Sequence, residues 1–136
     1  MCSSQALSWL TSMGKDSHYV PSLEQLLNTC AILHDHLCPR QVLGVRMGVL
    51  GGHLLGLEIP RYDNRLVTFV ELDGCGADGV SVATGCRIGR RNLRVLDYGK
   101  TAATFVDVET NGAVRVRPDP QARDRAQSYA PDATSR

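Results

Sequence analysis

Gly44, Gly48 and Gly52 recur at four-residue intervals in "RQVLGVRMGVLGGHLLGLEI". The apolar residues of the same segment, Val42, Val45, Met47, Val49, Leu50 and Leu54, suit a helix. Glycine weakens helix propensity by roughly 1 kcal/mol per residue, so a helix here must be held by what surrounds it. The spacing lines small residues along one stripe and lets another backbone approach closely. The segment is therefore expected to be a buried helix packed tightly on a sheet or on a second subunit.

The flanking elements are read from their own chemistry. "VPSLEQLLNTCAILHDH" opens with Ser22 as N-cap and Gln25 three residues on, the spacing of a capping box. Leu23, Leu26, Leu27, Cys30 and Leu33 then recur at helical intervals. Pro39 is tolerated in a first turn but not in an interior, so it ends this helix or begins the next. "RLVTFVELD" reads as a strand and "GADGVSVATG" as a short helix with Asp78 in its first turn and Gly85 at its end. "LRVLDYG", "AATFVDVE" and "AVRVRP" read as three further strands, the last two joined by a turn at Thr110-Asn111-Gly112. Helix, helix, strand, short helix and three strands predict an α+β fold rather than repeated βαβ units, with N-terminal helices on a mixed sheet of about four strands. The core is expected over residues 1–117, including a helical N-terminal extension over 1–19. Residues 118–136 are expected to form a polar tail, frayed helix or disordered.

With 136 residues, 43% hydrophobic and 21% charged, the chain suits one domain. Fifteen Lys and Arg against fourteen Asp and Glu give no argument for nucleic acid, and no apolar run reaches the ~20 residues that span a bilayer. The late arginines, in "RIGRRNLR" and "VRVRPDPQARDR", read as a solvated face and a basic tail. The N-terminus lacks the pattern of a secretory signal. Five cysteines, an odd number, argue against a disulfide framework and for a reducing cytoplasmic setting.

The chemistry concentrates in "HDHLCP". His34 and Cys38 share a face if the helix continues, whereas His36 and Cys38 share a side in an extended segment. Imidazole and thiolate are ligand types for zinc and similar metals, and a histidine also lowers a neighbouring thiol pKa and makes a nucleophile. A helix-end cap, an exposed histidine and a buried thiol account equally well for the spacing. Cys75 stands in a glycine-bracketed turn entering the short helix, where the backbone N–H groups favour a thiolate. Cys86 follows at the other end. Asp73 and Asp78 bracket Cys75 as ligands, acceptors or simple caps, caps being the commoner role. Cys30 reads as core, His53 as a packed or surface histidine, and Lys100 as an exposed turn residue or a cation facing an anionic substrate.

With those residues laid out, the chain resembles the FmdE family, named for the E component of formylmethanofuran dehydrogenase. The segments that carry the resemblance are "HDHLCPRQVLGVRMG", "ELDGCGADGVSVATGCRIGRRNL" and "DYGKTAATF", within residues 20–117. It implies an α+β core akin to the catalytic domain of glyceraldehyde-phosphate dehydrogenase, a homodimer, and a His/Cys site in a cleft near the subunit contact. Many relatives carry a C-terminal treble-clef zinc finger, which a chain without cysteines after Cys86 is expected to lack. The positions that carry over are His34, His36, Cys38, Cys75, Asp78 and Cys86, with Lys100 and Arg46 as lesser candidates. Asp35 and Arg40 stand where the family has glycine, Gly79 where it has alanine and Ser81 where it has glutamine.

Three readings follow. The first is a site for zinc or another divalent transition metal built from His36, Cys38 and Cys75, with His34 and Cys86 as added ligands or supporting residues. Such a site can be catalytic on a small molecule, with Asp78 or Asp73 orienting a ligand or moving a proton. The second is an accessory or carrier protein that holds a metal, sulfur or metallocofactor for a redox enzyme and docks on it. The third is metal-free thiol chemistry at Cys38 or Cys75.

Overall fold

The computed structural model describes residues 19–133. The N-terminal extension expected to be helical lies outside them except for Tyr19, as does Cys2. Helix α1 spans Leu23–His34, and the capping box at its start is present in full: Ser22 Oγ accepts from Gln25 N and Gln25 Oε1 accepts from Ser22 N. Helix α2 spans Pro39–Leu54, so Pro39 begins a helix rather than ending one. Strand β1 is Leu66–Val70, helix α3 Cys75–Thr84 and strand β2 Leu93–Val95. The hairpin of β3, Ala103–Asp107, and β4, Gly112–Val116, follows, turning at Asn111 with φ 59°. Helix α4, Ala122–Tyr129, lies in the segment expected to be a tail and buries no side chain fully. None of these helices is long and apolar enough to cross a membrane.

The four strands form one mixed sheet in the order β2-β1-β3-β4, with β1 parallel to β2 and the other pairs antiparallel. A parallel neighbour needs a crossover, and α3 supplies it, so the α+β fold contains one βαβ unit that the element order did not reveal. The strand expected over "LRVLDYG" is shorter than its pattern suggested: it ends at Val95, with Leu96 N still donating to the Val70 carbonyl at 2.8 Å. In β1 the side chains of Leu66, Thr68 and Val70 are buried and alternate with half-buried ones, as a strand with one face on a core requires. Phe105 of β3 is fully buried against α2, and removing a ring of that size from water stabilises the fold by about 2–3 kcal/mol. At the end of β3 the buried carboxylate of Asp107 accepts two hydrogen bonds from Arg65, at 2.9 and 2.8 Å.

The glycine stripe of α2 is divided between partners. A Cβ on Gly44 would strike the carbonyl oxygen of Gly76, and one on Gly48 would lie 2.6 Å from the Ala83 Cβ, both in α3. Gly51 instead lies against the Phe105 ring and Gly52 against Ile59. None of Gly44, Gly48 and Gly52 therefore meets the sheet as expected: the first two meet a helix, and the contact with the sheet is made by Gly51, off the four-residue stripe. On the α3 side Gly79 answers Gly44, because a Cβ there would lie 2.5 Å from the Gln41 carbonyl. No side chain separates the two helices at this crossing.

Candidate functional site

The register of that crossing places the site. Gly44 of α2 faces Gly76 and Gly79 of α3, and Gly48 faces Val80, Ala83 and Thr84. Later residues of one helix meet later residues of the other, so the two run in the same direction and begin at the same end of the molecule. Cys38 is the N-cap of α2 and Cys75 the first residue of α3. Glycine packing in the middle thus brings two thiols together at two helix N-termini, where unpaired N–H groups favour negative charge. The end of α1 joins them through Gln41, a fully buried residue that the sequence reading passed over. Its Nε2 donates to the Cys30 carbonyl at 3.1 Å and its Oε1 accepts from Cys38 N at 2.9 Å. The signal was available: Gln41 stands three residues after Cys38, at capping-box spacing with cysteine in the serine position.

His34, the last residue of α1, completes the cluster. Its Nε2 lies 2.6 Å from Asp78 Oδ2 and its Nδ1 4.0 Å from Cys75 Sγ. In the tautomer with its proton on Nε2, His34 donates to Asp78 and turns the Nδ1 lone pair to the thiol. A hydrogen bond with Cys38 pushes the Cys75 thiol above its ordinary pKa, with burial and the charge of Cys38 adding to the effect. Beneath them Cys30 is pushed up to about 11 by burial, then by Asp78 and Cys38. It lies in a small core with Leu26, Val45 and Ala83, as its helical position predicted.

The remaining candidates lie elsewhere. Cys86, expected as a ligand or support, is not brought to the cluster. It is fully buried in the main core, where its Sγ donates to the Leu66 carbonyl at 3.3 Å and accepts from Thr68 Oγ1 at 3.4 Å. His36 is exposed between the helices, and His53 and Arg46 are exposed on α2. Asp73 is exposed before α3. Lys100 lines a cleft with Leu43, Arg115 and Arg117 rather than touching the thiols. Asp35 caps α1 at φ 61°, a left-handed conformation that glycine adopts without strain and aspartate tolerates. That geometry explains both the glycine usual here and why aspartate is accepted. Arg40 is exposed in the first turn of α2 and lines a recess with Leu72, Asp73, Asp97, Gly99 and Thr101.

The family model FmdE, described as "Molybdenum formylmethanofuran dehydrogenase operon", matches residues 33–135. The chain belongs to the FmdE family. Among curated proteins, a probable S-adenosyl-L-methionine-binding protein of Archaeoglobus fulgidus is 40% identical over 97 residues, 69% of this chain and 26% of that protein. The crystal structure of a tungsten formylmethanofuran dehydrogenase FmdE-like protein from Syntrophus aciditrophicus superposes with TM-score 0.61 at 21% identity. That likeness covers 87% of this chain and 65% of the other, and it shows the α+β fold. This FmdE member spans about a quarter of its curated relative and just under two thirds of the solved one.

As they stand, no three His, Cys, Asp or Glu side chains among the described residues form a ready metal site. Cys75 links Cys38, through the thiol contact, to His34 Nδ1. Ligand atoms of a tetrahedral zinc are about 3.6 Å apart when one is thiolate and one imidazole, and the Cys75 Sγ to His34 Nδ1 distance is 4.0 Å. The donor chemistry fits, and the second nitrogen of His34 already has the carboxylate partner that metal-bound histidines use.

Proposed function

We propose that this FmdE member binds a divalent transition metal, zinc by donor type, through Cys38, Cys75 and His34 Nδ1. The observation that carries the reading is His34 itself, with one nitrogen on Asp78 and the other turned to Cys75. His36, exposed beyond the end of α1, and Cys86, in the core, fall out of the ligand set in this reading. Two thiolates side by side repel, a repulsion that adds to the Cys38 hydrogen bond and to burial in raising the Cys75 pKa. A cation between them removes it, which favours a metal over a free thiolate nucleophile. Bound there, zinc would supply a Lewis acid able to polarise a small-molecule substrate or acidify a water. The chain's own residues do the rest: Asp78 fixes the ring of His34 and its proton on Nε2, and Gln41 fixes the backbone of Cys38.

The names of the family and of its solved member support a second reading of the same site, as an accessory protein to a molybdenum or tungsten redox enzyme. Ile32 and Leu33, 80% and 63% exposed beside His34, offer an apolar flank to such a partner or to the second copy that the family resemblance implies.

Metal analysis of protein purified without added metal tests the proposal. About one equivalent of metal is expected, lost in Cys38→Ser and Cys75→Ser and kept in Cys30→Ser. Full occupancy in a Cys38→Ser/Cys75→Ser double variant overturns it.

A further inference from the structure

A cleft of about 590 Å³ opens between α2, the ends of β3 and β4, and the start of α4. Its size lies within the ~300–1,000 Å³ of small-molecule sites. Four cations line it: Lys100, Arg115, Arg117 and Arg123. Arg115 is held by Glu71, to which its Nε and one terminal nitrogen donate at 2.6 and 2.8 Å. The one acidic lining residue, Asp119, is paired at 3.1 Å with Arg125, which reaches it from outside the cleft. Lys100 shares the field of Glu71 without pairing with it, and Arg117 and Arg123 form no ion pair among the described residues. The cleft therefore concentrates three cations that form no ion pair among the described residues, in a chain whose formal net charge is only +1.

The cleft also adjoins a second recess. Thr101 lines both it and the recess of about 170 Å³ bordered by Arg40 and Asp73. Arg40 is two residues after Cys38 and Asp73 two before Cys75. The cleft and the recess thus meet at Thr101, and the recess borders residues close in sequence to the two thiols.

From this we infer that the cleft binds a small molecule carrying two or more negative charges close together, a phosphate ester or an oligocarboxylate, through Lys100, Arg117 and Arg123. Arginine forks suit both groups, since each offers paired oxygens to paired N–H donors. The inference goes beyond the metal reading and stands without it.

Calorimetric titration of the full chain with inorganic pyrophosphate, and separately with citrate, tests it. Saturable binding at one site is expected for at least one probe, weakening as salt is raised from about 20 to about 200 mM. Arg117→Ala/Arg123→Ala is expected to weaken it about tenfold or more. Arg91→Asn, at the opposite edge of the sheet where φ is 61°, is expected to leave it within about twofold. Binding of pyrophosphate alone assigns a phosphate ester, and of citrate alone an oligocarboxylate. Lys100→Gln gives a second reading should the double variant fold poorly. Repeating the titration in Cys38→Ser/Cys75→Ser separates this inference from the metal proposal, because binding should persist there. Absence of saturable binding by either probe overturns it, as does equal weakening by the cleft variants and Arg91→Asn.

Discussion

The two ends of α3 carry the same dipeptide, Gly-Cys, and treat it in opposite ways. At the N-terminus Cys75 is half-buried, faces His34 and meets a second thiol. Past the C-terminus Cys86 is fully buried and hydrogen-bonded to Leu66 and Thr68. Helix polarity and packing separate them. The N-terminal end offers unpaired N–H groups to a thiolate. The C-terminal end turns back at Gly85, φ 76°, onto the sheet and delivers the next side chain to the core. Burial raises the Cys86 pKa, keeping it a neutral thiol suited to packing.

The sharpest way to break that contrast is alkylation. In metal-free protein Cys75 should react with iodoacetamide from the native state, and Cys86 only through global unfolding, slower by about 10³ or more. Because the Cys75 pKa is raised, its thiolate is scarce at pH 7 and its rate should still climb above about pH 8.5. Comparable labelling of both cysteines in peptide maps would erase the distinction drawn between the two ends.

Gly44→Ala acts on one end only. The added methyl meets the Gly76 carbonyl, which no rotamer change can move, so α2 and α3 must part where Cys75 begins. A loss of about 3 kcal/mol is expected in urea unfolding, together with loss of metal. A variant of wild-type stability that keeps its metal would show that the crossing does not position the thiols. The smallest effect extends the comparison to α1, whose left-handed cap is Asp35 where α3 has Gly85. Asp35→Gly should raise stability by about 0.5 kcal/mol, relief of the left-handed strain being partly offset by glycine's greater unfolded-state entropy. A lower melting temperature would mean that the Asp35 side chain contributes a contact of its own.

Local chemistry was legible in the sequence. Ser22 and Gln25 announced α1, Asn111-Gly112 the hairpin, and Pro39 a boundary, because each acts over a few residues. What escaped depended on which element lies against which. The glycine stripe announced close approach but not that a parallel helix would share it with Ile59. Cys86 and Cys75 look alike in sequence because burial and helix direction are properties of the assembled fold. His34 and Cys75, 41 residues apart, are joined at the level of sequence only by the family resemblance. Spacing alone makes His34 one of several supports, yet it is the histidine that reaches the thiols, and His36 is not.

The sheet order leaves β2 and β4 as its two edges. β2 is three residues long and offers a neighbouring chain little to pair with, whereas β4 is five residues long and pairs on one side only among the described residues. Charged side chains on an edge discourage strand addition by other copies. Arg115 lies within β4, and Arg117 directly follows it. Arg115 and Arg117 of the cleft are thus placed to discourage edge-to-edge aggregation as well, so neutralising them should shorten the shelf life of concentrated protein even where ligand is irrelevant.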